Sequence, residues 1–99
     1  MAWEEVEARI SEAIGARFRA RRRRCVSGGC INDAHVVSGD GRTYFVKTNE
    51  CAAIEMFRAE AEGLAQLAGT GELRVPRPVC TGSSDEFAYL VVEHLALRD

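Results

Sequence analysis

A chain of 99 residues has room for one domain at most and lies near the lower size at which a single core holds without disulfides or metals. With 46% apolar and 28% charged residues it is expected to fold, and a formal net charge of -2 commits it neither to nucleic acid nor to a membrane surface. Glu4, Glu5 and Glu7 stand where a secretory signal needs a basic and then apolar start, and no stretch is long enough to cross a bilayer, so the expected location is the cytoplasm.

Trp3, Val6, Ile10, Ile14 and Phe18 recur at steps of three and four, the apolar stripe of an amphipathic helix with Glu4, Glu7 and Glu12 on its other face. The arginines that follow, Arg17, Arg19 and Arg21 to Arg24, are expected to be a solvated helix end favourable to the helix dipole. Ser27 to Asn32, with its Gly28-Gly29 pair, then precedes Ala34-His35-Val36-Val37 and reads as strand, glycine loop, strand. Ser38-Gly39-Asp40-Gly41-Arg42 supplies tight-turn chemistry before the β-forming run Thr43 to Thr48. From Cys51 to Ala68, the residues Ile54, Phe57, Ala61, Leu64 and Leu67 predict a second helix, closed by Gly69-Thr70-Gly71. Pro76 and Pro78 pin an extended approach to Val79-Cys80-Thr81, a turn is expected at Gly82 to Asp85, and Phe87 to Val92 reads as a final apolar strand. The predicted order is helix, three strands, helix, two strands.

Three features could carry chemistry. The glycine loop lets backbone N–H groups approach phosphate oxygens, although a plain hairpin turn explains a Gly-Gly pair more simply. It is neither a Walker loop nor a dinucleotide fingerprint, because no Gly-Lys-Ser/Thr follows and a strand rather than a helix comes next. Lys47 ends a strongly β-forming run and shares a face with Phe45, while Tyr44 and Val46 share the other. In the following helix, at about 100° per residue, Glu60 falls beside the apolar stripe whereas Glu55 and Glu62 point away, so Glu60 alone can reach inward. A strand lysine oriented by a helix glutamate, downstream of a glycine loop, is the arrangement by which kinases hold the α- and β-phosphates of ATP. Taken singly, Lys47 reads better as an edge-strand charge and Glu60 as a solvated one, and it is the ordered set that favours the kinase arrangement. Glu93-His94-Leu95, at the exit of the last strand, could be a hinge that meets an adenine edge through its backbone, or merely a strand terminus. Cys25, Cys30, Cys51 and Cys80 lack paired C-x-x-C spacing, which disfavours structural zinc and points to reduced thiols.

Taken together, Ser27-Gly28-Gly29-Cys30-Ile31-Asn32-Asp33, Tyr44-Phe45-Val46-Lys47-Thr48-Asn49, Met56-Phe57-x-x-Glu60-x-x-x-Leu64, Val75-Pro76-Arg77-Pro78 and Val92-Glu93-His94-Leu95 occur in order. From Trp3 to Leu95 the chain resembles the fructosamine kinase family. The resemblance implies an α+β fold, the N-terminal lobe of the protein-kinase-like architecture shared with aminoglycoside and choline kinases: a five-stranded antiparallel sheet with an N-terminal helix and a second packed helix. It implies that Gly28, Gly29 and Cys30 cover the phosphates of ATP, that Lys47 and Glu60 are the ATP lysine and its partner, and that Glu93, His94 and Leu95 are the adenine hinge. Its acceptors would be ketosamines, as small molecules or glycated proteins, which lose their amine once the sugar is phosphorylated.

The family's second lobe, with its His-Gly-Asp loop, catalytic Asp and Asn and magnesium-binding acid, has no counterpart in these 99 residues. The chain is therefore expected to be one domain, residues 1–99, an ATP-binding lobe without a catalytic base. Mg2+ is expected only with the other lobe, Asp99 is expected to be a boundary rather than a natural end, and the chain alone should not turn over. Self-association through the exposed inter-lobe face or through Cys30 is a further expectation. The alternative is a non-catalytic interaction or dimerisation module, or a polyanion binder acting through Arg21 to Arg24. Nucleic acid is the weaker case, because no aromatic residues interleave the arginines.

Overall fold

The computed structural model describes residues 2–28, 33–71 and 75–94, in which two helices flank an antiparallel sheet. In chain order the elements are α1 (Ala2–Ile14), β1 (Arg22–Gly28), β2 (Asp33–Gly39), β3 (Arg42–Asn49), a 3-10 turn (Cys51–Ala53), α2 (Ile54–Thr70), β4 (Pro78–Ser83) and β5 (Ala88–Glu93). The predicted element order is found, as is the α+β class with five antiparallel strands. The strands lie side by side as β1-β2-β3-β5-β4, so β5 is inserted between β3 and β4.

The first helix stops earlier than its apolar period suggests. Gly15 takes a left-handed conformation with φ 71°, and the N–H groups of Gly15 and Ala16 both donate to the Ser11 carbonyl. The Ser11 hydroxyl donates to the Glu7 carbonyl and accepts the Phe18 N–H at 2.8 Å, folding the chain back along the helix. Phe18 thus continues the stripe from outside the helix, 1% exposed and edge-on to Tyr44 with centroids 5.1 Å apart. For the same reason the arginines do not form a helix end, contrary to expectation. The last turn of α1 holds no basic residue; Arg17 and Arg19 lie on the returning segment, and Arg22 to Arg24 open the edge strand β1.

Each face of the sheet carries its own apolar cluster. On one, Val6, Ile10 and Phe18 pack with Val37, Tyr44, Val46, Tyr89 and Val91. On the other, Phe57 packs with Ala88, Leu90 and Val92, flanked by Phe45, Ile54, Ala61 and Leu64. Period-two alternation sends Tyr44 and Val46 towards α1 and Phe45 and Lys47 to the face of α2. β5 lies inside the sheet with both faces covered, which is why Ala88 to Val92 are all buried.

Two boundaries differ from the sequence reading. α2 continues through Gly69 and stops where Gly71 adopts φ 73°. The turn before β5 begins at Ser84, whose hydroxyl accepts the N–H groups of Glu86 and Phe87, both at 3.1 Å. Gly82 instead belongs to β4, where a Cβ would lie 2.5 Å from the hydroxyl of the buried Tyr89.

Candidate functional site

The face of the sheet that bears α2 holds the candidate site. Cross-strand register sets Ala34, Lys47, Leu90 and Thr81 in one row, and Val36, Phe45 and Val92 in the next. α2 lies across β4 and β5 rather than over β1 and β2. Its seat is fixed by Phe57, 0% exposed against Leu90 and Val92. Three residues on, Glu60 is carried to the rim of the buried stripe, and its Oε2 accepts a hydrogen bond from Lys47 Nζ at 2.5 Å. Both side chains are about one-third exposed, 32% and 31%, so the pair is held in place yet open to a ligand. Glu55 and Glu62 are exposed, and Glu55 pairs with Arg58 on the outer face.

An ammonium anchored above a half-buried apolar strip can bind an anion at one end of a flat apolar group. Val36 and Phe45, paired across β2 and β3 and both partly exposed, supply that strip, and Phe45 also flanks the Phe57 cluster. Sequence reasoning placed Phe45 on the face of Lys47 but overlooked Ala34 and Val36, whose signal was the alternation along β2 opposite the lysine strand.

At the far end of β5, Glu93 lies opposite Tyr44, three residues along from the partner of Lys47, a span of about 10 Å. Its N–H donates to the Arg77 carbonyl at 2.9 Å, and its Oε1 accepts the Arg77 N–H at 3.2 Å. Glu93 therefore pins the approach to β4 through both its N–H and its carboxylate. His94 is exposed just beyond the strand. Gly28 is the last residue of β1, paired with Asp33 across the hairpin. Gly29, Cys30 and Leu95, also singled out from sequence, lie outside the described residues. Among the described residues no three His, Cys, Asp or Glu gather as metal ligands, and no helix is long and apolar enough to cross a membrane.

Comparison with known proteins gives this arrangement a family. A cyanobacterial protein named "Probable ketoamine kinase", from Synechocystis sp., is 46% identical over 93 residues, which cover 94% of this chain and 32% of that protein. The crystal structure of a Haemophilus somnus protein named "Putative fructosamine-3-kinase" matches 99% of this chain and 33% of its own, with a TM-score of 0.92 at 31% identity. An aminoglycoside phosphotransferase crystallised as a ternary complex with AMP-PNP and hygromycin B matches 91% of this chain and 29% of its own, with a TM-score of 0.60 at 20% identity, which establishes the shared protein-kinase-like fold alone. The chain thus spans about a third of the length of the relatives it matches. The family model described as "Fructosamine kinase" matches residues 2–99, and the chain belongs to the fructosamine kinase family.

Proposed function

We propose that residues 1–99 form the N-terminal, ATP-binding lobe of a kinase that phosphorylates the sugar of ketosamines, with the second lobe of the enzyme supplying the base and the magnesium ligands. The observation that carries the reading is the Lys47–Glu60 ion pair at 2.5 Å on the open part of the sheet face. The residues fit ATP. Val36 and Phe45 offer an apolar seat for adenine, the carbonyl of Glu93 a hydrogen-bond acceptor for its amino group, and Lys47 a cation for the α- and β-phosphates about 10 Å away. Glu60 keeps the ammonium aimed at those phosphates instead of sweeping through solvent. Gly28, Gly29 and Cys30 are assigned to the loop covering the phosphates, and His94 and Leu95 to the hinge beyond Glu93. ATP supplies the transferred phosphoryl group.

The names of relatives, a ketoamine kinase and a fructosamine-3-kinase, support a ketosamine as the acceptor, and we take it to be free or on a glycated protein. The test is transfer of phosphate from ATP to a fructosyl-amine by the complete gene product, followed as a mass gain on the sugar. Turnover that Lys47→Met abolishes is the expected result. Turnover unaffected by Lys47→Met, or none with any ketosamine while ATP still binds, would overturn the assignment. The 99-residue chain alone is expected to show no turnover.

A further inference from the structure

The arginine run that looked like one feature in sequence is divided by the fold into groups with different surroundings. Arg23 lies over the Trp3 ring, 4.3 Å from its centroid, and is accounted for by that contact. Arg17, Arg19 and Arg21 line a cavity of about 630 Å³ with Ala20 and Asp40. A second cavity of about 590 Å³, sharing Arg21 and Asp40, adds Arg22 and Arg42. Five arginines from three stretches of chain, the returning segment, the start of β1 and the start of β3, thus line the surface around one turn.

The convergence is built rather than incidental. Asp40 and Gly41 form the two-residue β2–β3 turn with φ of 53° and 75°, a type I′ pattern. Asp40 Oδ2 accepts the Arg19 backbone N–H at 3.0 Å, and the Arg21 N–H donates to the Ser38 carbonyl at 2.8 Å. Gly39 allows this close seating, since a Cβ there would lie 2.0 Å from the Arg19 carbonyl oxygen. Among the described residues none of the five guanidinium groups is in an ion pair. Among the described residues Asp40 is the single carboxylate lining the basin, and it is engaged by a backbone N–H.

We propose that this basin is a binding site for a compact, multiply charged phosphate anion, with three or more linked phosphates. Five like charges around one turn disfavour one another, and a polyvalent anion offsets this while accepting forked, charge-assisted hydrogen bonds from several arginines. The side chains around the turn favour a phosphate chain over a nucleic-acid strand. Among the described residues no aromatic side chain lines either depression to stack a base. The site stands at the β2–β3 turn and does not rest on the nucleotide reading.

Isothermal titration of the full chain with inorganic tripolyphosphate tests it, with orthophosphate and a 12-nucleotide single-stranded RNA as comparators. The expected result is binding that falls with added salt, persists in Lys47→Ala, and weakens at least roughly tenfold in Arg19→Ala/Arg21→Ala. Because neither guanidinium is part of a core, that variant should keep the wild-type circular dichroism and melting point; Arg17→Gln/Arg42→Gln gives a second, independent loss. The proposal is overturned by absence of binding at low salt, by loss in Lys47→Ala but not in the arginine variants, or by orthophosphate or the RNA binding as tightly.

Discussion

Replacing Glu60 by Gln separates what the ion pair does for stability from what it does for a ligand. The pair is 2.5 Å long, but its side chains are 32% and 31% exposed, so solvent screens most of the Coulomb attraction. A pair of that kind contributes roughly 0–1 kcal/mol. At about 4–8 °C per kcal/mol for a domain of this size, the melting point of the chain should fall by no more than about 8 °C. The effect on ATP should be larger. With its tether neutralised, the Lys47 ammonium is no longer held towards the phosphates, and a charge-assisted hydrogen bond of this type is worth about 1.5–3 kcal/mol. ATP binding should therefore weaken about ten- to a hundredfold, measured by titration calorimetry on the complete gene product, while adenosine, which has no phosphate to lose, should bind as before. Equal losses for ATP and adenosine would place the damage in the apolar seat, and unchanged ATP affinity would mean that Glu60 does not orient the lysine. Either result refutes the reasoning.

Phe57→Ala should cost about 3–5 kcal/mol in urea unfolding, because the ring is 0% exposed and seats α2 on Leu90 and Val92; a loss under about 1 kcal/mol would mean that the helix is held by other contacts. Gly39→Ala should cost about 1–3 kcal/mol, since the new Cβ would collide with the Arg19 carbonyl and force the returning segment away from the β2–β3 turn; an unchanged denaturation midpoint would show that the segment moves freely. Burial pushes the Cys80 thiol up to about 11, outweighing the opposing charge of Arg9. At pH 8 iodoacetamide should accordingly label the exposed Cys51 well before Cys80, and equal rates would contradict the burial. The linkage has a definite sign: the unfolded chain releases this proton near pH 9 and the folded chain near 11, so stability should decline as pH rises through that window, a decline that Cys80→Ala should reduce.

The site pair was legible because two periodicities intersect at it. Alternation along Thr43 to Thr48 placed Lys47 with Phe45, and the helical wheel singled out Glu60 over Glu55 and Glu62; the fold joins the two residues by a hydrogen bond. What escaped was chain reversal. Phe18 satisfies the helical period of α1 although the helix has already ended at Gly15, because packing against Tyr44 requires only that its ring reach the right place. That reversal also hid the arginine basin, since residues 17–21 meet the β2–β3 turn through Gly39, a contact between positions some twenty apart. The role of Glu93 was only half visible: a strand exit could be read from the apolar run, but not the use of its N–H and carboxylate on Arg77.

The place of β5 in the sheet has a consequence for how the chain is made. β1, β2 and β3 can zip together as successive hairpins as they leave the ribosome, whereas β3's other edge and the whole of β4 have no partner until residues 88–93 have emerged. During that interval α2 has no Leu90 or Val92 to cover, and Phe57 must wait in solvent or in the hold of a chaperone. At synthesis rates of about 5–20 residues per second, the roughly forty residues between the end of β3 and β5 keep that edge unpaired for some seconds. Slowing translation across this stretch should raise the yield of aggregated chain more than slowing it before β3.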